Sequence, residues 1–317
     1  MIVVCGEALI DLFVMPDGAG GLRAEPVAGG SPFNVALGLA RLGTPVSYLG
    51  GLSTDSFGGF LAARLEREGV DLRLAPRLPQ PATLVIVSTD ARGVPTYRFI
   101  GEGAADRALI PAHLPAALPA EVKAITFGSL SMGVEPVGST LLGLARRESG
   151  QRVVSIDPNL RASVVGDLVS WRQRLGDFIA TATIVKASEE DITGTYGASA
   201  SIPEIAASWQ RLGPSLVVVT RGEAGAVAFH AGAAYDIPGR TVKVIDTVGA
   251  GDTFHAALLS QLARIGALTR DHVRALAADK VRDVLTFAVA ASAITCSRRG
   301  ADLPRRGDVE TLLPRTT

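Results

Sequence analysis

The feature that most constrains the fold is a regular alternation of short β-rich runs with stretches of helical periodicity from residue 123 onward. Four such runs are KAITFGS (123–129), RVVSIDPN (152–159), TATIVKAS (181–188) and SLVVVTRG (215–222). Each ends in Gly, Ser or Asn, residue types that favour the end of a strand and the start of a turn. Strands that alternate with helices predict βαβ units, and hence an α/β fold with a large, mainly parallel central sheet flanked by helices.

The first forty residues predict a strand and a helix. Residues 1–15 have the pattern of one buried strand that becomes polar midway. Ser31 followed by Pro32 is typical of an N-cap and a first helical turn, and the helical pattern runs to Leu42 before a glycine. We therefore expect the sheet to begin at the N-terminus and to be followed by this helix.

Two other segments, about 11–30 and 82–104, are predicted to form a small β-sheet beside the main one. The second segment contains a hairpin-like pair of β-rich runs on either side of ARGV (91–94). No linker-like composition or internal repeat divides the chain. We expect residues 1–317 to form a single α/β domain that carries this small sheet as a lid.

Charge and cysteine content exclude several classes of function. The chain has 31 Lys and Arg and 31 Asp and Glu, so it has no basic surplus to favour nucleic acid or an anionic membrane. Its 2 cysteines, Cys5 and Cys296, lie in apolar stretches and are typical of reduced core thiols. The N-terminus lacks the basic segment of a signal peptide, and no apolar run is long enough for a membrane helix. We expect a cytoplasmic protein without nucleic-acid or membrane partners.

Polar residues at the ends of the β-rich runs are the first candidates for a site, because ligands of open α/β sheets bind beyond the carboxyl ends of the strands. These residues are Asp11, Ser129, Asp157, Asn159, Glu189, Thr220 and Asp246. The P-loop pattern GxxxxGK[ST], the dinucleotide pattern GxGxxG, the esterase pattern GxSxG and the zinc pattern HExxH are all absent. The 4 histidines are scattered, so we expect no histidine-based metal site.

The segment VIDTVGAGDTFHAALLS (244–260) combines a glycine-rich turn with the start of an apolar helix. The N–H groups at a helix N-terminus attract anions, and glycine lets an anion approach the backbone closely. A carboxylate beside such a turn, Asp252, is suited to accept the proton of a hydroxyl that attacks a phosphoryl group. The alternative from these residues alone is that Asp252 caps the helix and the glycines form a tight turn.

DTVGAGDTF (246–254) resembles the C-terminal signature of the ribokinase-like (PfkB) carbohydrate kinases, and GGSPFNVALGLARLG (29–43) resembles their N-terminal signature. Further segments are similar to bacterial fructokinases of that family: GEALIDLF (6–13), GEGAADR (101–107), DPNLR (157–161), KASEED (186–191) and CSRRGAD (296–302). The resemblance extends over almost all of residues 3–304. It implies the ribokinase-like fold and phosphoryl transfer from ATP.

The resemblance implies roles for residues on the sugar side of the site. The residues implied in catalysis are the base Asp252, the backbone anion hole of Gly249, Ala250 and Gly251, and Arg161. The residues implied in sugar binding are Asp11, Gly30, Asn34, Arg161 and Asp252. A carboxylate and an amide suit adjacent hydroxyls, which need both donors and acceptors. From the residues alone, Asn34 also fits a solvated helix position, and Asp157–Asn159 a turn after a strand.

The resemblance also implies a nucleotide and metal side. The nucleotide-binding residues are Lys186, Glu189, Thr220, Gly222, Gly225 and Val289; Glu189 holds Mg²⁺ through water, and Asp246 and Val248, with the loop 296–301, hold K⁺. Mg²⁺ prefers hard oxygen ligands and keeps several of its waters. The acidic run 189–191 is also explained by the dipole of a helix that starts there.

Three positions depart from the pattern of the family. Val289 stands where many members have Asn, which replaces a contact to adenine with apolar packing. Ile100 stands where similar fructokinases carry an aromatic residue, so we expect an altered lid surface near the sugar. Lys186 replaces an Asn of the ribokinases and favours the fructokinase-like branch.

We therefore expect ATP-dependent phosphorylation of a primary sugar hydroxyl, with D-fructose as the leading substrate, ATP, Mg²⁺ and K⁺ as cofactors, and a homodimer paired through the lid. One alternative is a 2-keto-3-deoxygluconate kinase, or another sugar kinase of the family, in which Arg98 or Arg107 binds a substrate carboxylate. The alternative of another class is a sugar-sensing protein that binds without catalysis. A panel of substrates separates these hypotheses.

Overall fold

The protein is described here by a computed structural model, which covers residues 1–89, 95–161 and 165–313. Its strands are β1 (Ile2–Cys5), β2 (Leu9–Pro16), β3 (Leu22–Gly29), β4 (Val46–Leu49), β5 (Leu52–Ser53), β6 (Arg77–Leu78), β7 (Thr83–Thr89), β8 (Pro95–Ile100), β9 (Ala124–Gly128), β10 (Val153–Asp157), β11 (Ile184–Ser188), β12 (Leu216–Thr220), β13 (Ala226–His230) and β14 (Ala233–Ile237). Eight of these strands form one sheet in the order β14-β13-β12-β11-β10-β9-β1-β4. Neighbours are parallel from β12 to β4, and β13 and β14 form an antiparallel edge.

Helices cover both faces of the large sheet. They are α1 (Ser31–Arg41), α2 (Ser56–Arg67), α3 (Val137–Glu148), α4 (Leu168–Ile179), α5 (Glu189–Tyr196), α6 (Ile202–Leu212), α7 (Ala250–Arg264), α8 (Arg270–Arg274), α9 (Ala278–Cys296) and α10 (Arg306–Leu312). In β1, Ile2 and Val4 enter the core with α1, α7 and α9, while Val3 and Cys5 enter the core with α3, α4 and α6. Alternating side chains of a doubly buried strand explain its continuous apolar sequence. The α/β fold class predicted from the sequence is confirmed.

A second, smaller sheet of four strands has the order β3-β2-β7-β8. The prediction of one strand over residues 1–15 is wrong, because β1 belongs to the large sheet and β2 to the small one. The chain turns at Gly6, which has a φ of 142° and lies where a Cβ would approach Pro32 Cγ to 2.4 Å. Only glycine adopts this backbone without strain. The turn predicted at ARGV (91–94) lies outside the described residues.

The start of α1 also differs from the prediction. Gly30, with a φ of 105°, is the N-cap, and Ser31 is the first helical residue rather than the cap. A Cβ at Gly30 would lie 2.8 Å from the carbonyl oxygen of Glu7, so the backbone is packed closely at this point. The Ser31 hydroxyl is therefore available for a contact outside its own helix.

None of the helices in the described residues combines the length and the apolar character needed to cross a membrane.

Candidate active site

The site is centred on the N-terminus of α7, where Asp252 lies in the first turn. Gly249 is the N-cap, with a left-handed φ of 77°, and the cap makes no side-chain hydrogen bond. A Cβ at Gly249 would lie 2.8 Å from that of Ala301, so the loop after α9 packs directly on this turn. The backbone N–H groups at the start of α7 form a cradle suited to an anion.

The Asp252 carboxylate is held by two residues of α1 rather than by its own helix. Ser31 Oγ donates to Asp252 Oδ1 at 2.6 Å, and Asn34 Nδ2 donates to Asp252 Oδ2 at 2.8 Å. Asp252 is 7% exposed. Burial raises its pKa, while the two hydrogen bonds and the charges of Lys186 and Arg161 oppose the rise. This is the environment of a carboxylate tuned to exchange a proton.

Ser31 was missed as a site residue, because Ser before Pro has the pattern of a helix cap. A signal was nevertheless present in the sequence. Ser31 and Asn34 are three residues apart, so they share one face of a helix, and Asn34 was already a candidate. The structure brings both side chains to the same carboxylate.

A buried ion pair lies beneath the glycine turn. Lys186, in the middle of β11, donates from Nζ to Oδ2 of Asp157, the last residue of β10, at 2.8 Å, and the two side chains are 3% and 2% exposed. A Cβ at Gly251 would lie only 3.2 Å from Lys186 Nζ. Glycine at this position therefore lets the ammonium approach the helix start.

His255, one turn after Asp252, faces the same pair. Its Nδ1 is 3.6 Å from Asp157 Oδ2, and its Nε2 is 2.8 Å from Ser155 Oγ. Burial, together with the nearby Lys186 charge, lowers the pKa of His255 to about 3, so the ring is neutral. His255 belongs to the polar interior and supplies no charge to the site.

The loop after β10 is fixed by Asp191. Asp191 Oδ1 accepts from Leu160 N at 2.7 Å, and its Oδ2 accepts from Ser188 N and Oγ at 2.8 Å. Asp191 N donates back to Ser188 Oγ, which completes a capping box at α5. Among the acidic residues 189–191, Asp191 thus has a structural role, and Glu189 remains an exposed carboxylate at the first position of α5.

Asp11 and Arg161 lie on the sugar side of the site. Asp11 projects from β2, and a Cβ at Gly29 on the neighbouring strand would lie 2.3 Å from its Oδ2. Burial raises the pKa of Asp11 to about 6, and the charge of Arg161 opposes this rise. Arg161 is exposed, and its Nη1 donates to Asn159 Oδ1 at 2.7 Å. The charge of Arg161 also opposes the rise in the pKa of Asp252, so the guanidinium lies within electrostatic range of both carboxyls.

Arg98 and Ile100 do not share the face of the small sheet that carries Asp11. The register pairs Asp11 with Val85 and Val85 with Phe99, so these side chains form one row across the sheet. Side chains alternate along a strand, so Arg98 and Ile100 point to the opposite face. From β8, Phe99 and Tyr97 face the Asp11 side.

The predicted nucleotide residues lie at the carboxyl ends of β11 and β12, where Ser188 pairs with Thr220. Gly222 starts the 3₁₀ turn Gly222–Ala224 directly after β12, with a φ of 53°. Gly225 ends that turn, and a Cβ there would lie 2.2 Å from the carbonyl oxygen of Ile237. Val289 lies in α9, is 7% exposed and packs in the apolar core, as expected for the residue that replaces a polar one.

The oxygen atoms predicted to hold K⁺ lie where two loops meet. Asp246 Oδ1 accepts from Val248 N at 3.1 Å, and Asp246 Oδ2 accepts from Gly300 N at 2.8 Å. Ile245 N also donates to the carbonyl oxygen of Cys296 at 2.8 Å. These bonds tie the segment before the glycine turn to the loop 296–302. Within the described residues there is no cluster of three or more His, Cys, Asp or Glu side chains that would hold a metal alone.

A buried carboxylate beside a helix N-terminus, with a cation below it and the carboxyl ends of parallel strands around it, is an arrangement suited to phosphoryl transfer to a hydroxyl group. The pfkB family carbohydrate kinase pattern matches residues 1–306, and the chain belongs to that family. It is 37% identical over 283 residues to a fructokinase of Rhizobium leguminosarum bv. trifolii, an alignment that covers 89% of this chain and 86% of the relative.

Solved structures agree in fold. The fructokinase with bound ATP from Xylella fastidiosa has a TM-score of 0.90 at 26% identity, covering 98% of this chain and 97% of that one. The fructokinase from Vibrio cholerae O395 in its fructose, ADP and calcium ion bound form has a TM-score of 0.82 at 27% identity, with coverage of 99% and 98%. The chain is accordingly an ATP-dependent sugar kinase.

Proposed function

We propose that the protein transfers the γ-phosphoryl group of ATP to the 6-hydroxyl of D-fructose. The observation that carries the proposal is the Asp252 carboxylate, which Ser31 and Asn34 hold beside the N-terminus of α7. The choice of fructose is supported by the curated relative named fructokinase and by the Vibrio cholerae enzyme described with fructose and ADP.

In this proposal Asp252 is the base. One carboxylate oxygen of Asp252 accepts the proton of the 6-hydroxyl while the hydroxyl oxygen of the sugar attacks phosphorus. The two hydrogen bonds from α1 hold the carboxylate in the required orientation. Asp11, the backbone at Gly30 and the Asn34 amide bind other hydroxyls of the sugar. The Asn34 amide has a second N–H donor and an oxygen acceptor in addition to the N–H that it gives to Asp252.

Charge on the transferring group is stabilised by the chain at several points. The N–H groups of Gly249, Ala250 and Gly251 bind its oxygens at the start of α7. Arg161 approaches from the loop after β10. We further propose that the whole chain is one domain whose small sheet acts as a lid, so that water is excluded from the reacting phosphate.

The nucleotide is proposed to lie along the ends of β11 and β12. Lys186, Thr220, Gly222 and Gly225 would position its phosphates, and the apolar side chain of Val289 would lie near the base. The exposed Glu189 carboxylate is chemically suited to Mg²⁺ held through water, since that ion is bound by one or two carboxylates together with phosphates and waters. Bound there, Mg²⁺ would neutralise charge on the nucleotide phosphates.

A K⁺ ion is proposed at the junction of the loops around Asp246 and Gly300. The Asp246 carboxylate accepts hydrogen bonds from Val248 N and Gly300 N and so holds the two loops together, and backbone oxygens around Val248 and the loop 296–302 would bind the ion. Oxygen ligands of this kind suit a hard cation. The ion would support the glycine turn that follows.

We also propose a homodimer paired through the small sheet. Phe13, Val27 and Tyr97 are 39%, 41% and 61% exposed. The strand register puts all three on the same face of the small sheet as Asp11. Exposed apolar rows on a sheet favour pairing. Light scattering should give twice the mass of the chain, and a monomer at micromolar concentration, unchanged in Phe13→Ser/Tyr97→Ser, would refute this pairing.

The test of function is a coupled ADP-release assay with ATP, Mg²⁺ and K⁺ over fructose, ribose, glucose, tagatose and 2-keto-3-deoxygluconate. We expect rapid turnover of fructose. Turnover of another sugar would keep the chemistry and overturn the substrate. Sugar binding without turnover on any member of the panel would favour a sugar-sensing protein.

A further inference from the structure

The position of the buried Lys186–Asp157 pair indicates a role in addition to nucleotide binding. Its two charges are almost wholly shielded from water, and Lys186 Nζ lies within 3.2 Å of the position of a Cβ at Gly251, the residue that precedes Asp252. A positive charge in a poorly solvated environment acts over a longer range than one in water. The ammonium is thus fixed beneath the helix start that carries the proposed base.

The charge of Lys186 bears on whether the buried Asp252 carboxyl is ionised. A general base must be ionised, but burial favours its protonated form. Ser31 and Asn34 donate to the ionised form, yet both are neutral. The two cations that act on Asp252 are Lys186 and Arg161, and Arg161 is exposed, so solvent weakens its effect.

We propose that Lys186 is a positioning residue for the base: its ammonium, fixed by Asp157, holds Asp252 as a carboxylate before the nucleotide binds. This inference rests on the proposed role of Asp252 as the base. Two carboxylates maintain this charge: burial lowers the pKa of an isolated ammonium, whereas Asp157 and Asp191 together more than offset that effect and raise the pKa of Lys186.

The other charged groups around the pair do not supply this effect. His255 packs against Asp157 but is neutral, because its pKa lies near 3. A negative charge on Asp157 acts in the opposite direction to Lys186, because the carboxyls of Asp157 and Asp252 raise each other's pKa. Among the described residues, Asp157 Oδ1 has no hydrogen-bond partner, so Asp157 contributes through Oδ2 and Lys186 alone.

The experiment compares wild type with Lys186→Met, Asp157→Asn and the double variant Lys186→Met/Asp157→Asn. Two readouts are taken: the acid limb of kcat/KM for fructose against pH, and the carboxyl ¹³C titration of Asp252 in the nucleotide-free protein, assigned by its loss in Asp252→Asn. The limb of kcat/KM reports the free-enzyme group, and the titration requires no activity. The double variant avoids leaving one buried charge alone, which by itself destabilises a fold.

We expect both readouts to move upward by about one pH unit from wild type to Lys186→Met, and by about the same amount from Asp157→Asn to the double variant, the scale for loss of one nearby opposite charge. Asp157→Asn removes an anion near Asp252 and leaves Asp191 to support the Lys186 ammonium, so it should not move them upward relative to wild type. No upward shift in either comparison of folded proteins, or a rise in Asp157→Asn equal to that in Lys186→Met, would overturn the inference. Wild-type protein inactive on every sugar would refute the proposed function instead, and the titration would still decide the role of Lys186.

Discussion

Replacing Asp252 with Asn tests the chemistry and the energetics of the site together. Asn keeps the shape of the side chain and both contacts to α1: its Oδ1 can accept from Asn34, and its Nδ2 can donate to Ser31 Oγ, which rotates to accept. The substitution therefore removes the negative charge and the proton acceptor while it leaves the packing intact. Effects on rate can then be assigned to the lost base.

The expected loss in kcat is about 10² to 10⁴-fold, the usual contribution of a general base, equivalent to about 3–5.5 kcal/mol of transition-state stabilisation. KM for the sugar should change by less than about threefold, since Asp11 and Asn34 remain. The assay is ADP release at saturating ATP, Mg²⁺ and K⁺. Asp283→Asn, at an exposed position of α9, is the matched control and should leave kcat unchanged.

Whereas Asp252→Asn lowers kcat, we expect the same substitution to raise the stability of the fold. The folded-state pKa of Asp252 lies above its ordinary value of 3.8, so its contribution to stability is present below that value and is lost as pH rises through the folded pKa. The amide introduced by Asp252→Asn cannot ionise, so the variant should gain in Tm relative to wild type as pH rises above 3.8. A kcat within about fivefold of wild type would refute the role as base, and a Tm gap that shrinks with rising pH would refute the account of its burial.

Three further predictions concern a hydrogen bond to Asp252, a tightly packed glycine and an ion pair. Ser31→Ala removes a donor to the ionised Asp252, so the acid limb of kcat should move to higher pH by about one unit; an unmoved limb would contradict this. Gly225→Ala should lower the free energy of unfolding by more than about 2 kcal/mol, because its Cβ would overlap a carbonyl of β14, while Gly43→Ala, with similar φ and open space, should lose only about 1 kcal/mol in urea unfolding. Glu68→Gln weakens a half-buried ion-pair network with two arginines. Burial disfavours the Glu68 anion, but the arginines outweigh burial and lower the pKa of Glu68. The ionised side chain therefore contributes stability above pH 4.5 that is lost as pH falls, so the Tm values of variant and wild type should converge at low pH.

The fold was predictable because its main signal is local. The four β-rich runs between residues 123 and 222 each contain the strand that the structure shows, β9 to β12, since strands buried on both faces need continuous apolar sequence. The glycine turn and Asp252 were predictable for a similar reason, because a helix start that binds an anion requires residues adjacent in sequence. Where a feature depends on neighbouring residues alone, the sequence was sufficient.

Other features depend on which distant elements meet. Whether a residue of β8 faces Asp11 is decided by strand register, and a shift of one residue reverses the face, so Arg98 and Ile100 were misplaced by a pattern that carries no register. Ser31 had the signature of a cap, and only the packing of α1 against α7 shows that its hydroxyl contacts Asp252. No local rule relates these positions.

The same limit explains why the electrostatics of the site were not predictable. Asp252, Asp157 and Asp11 all have pKa values raised by burial; Asp252 lies at the start of α7, Asp157 ends β10, and Asp11 is the third residue of β2 in the small sheet. Burying carboxylates without full compensation lowers stability, so three of them around one site are unexpected from folding alone. A site that must exchange a proton and attract no bulk water requires this arrangement, because a solvated carboxylate would be a much weaker base. The residues that weaken the fold here are therefore the ones that the proposed reaction needs.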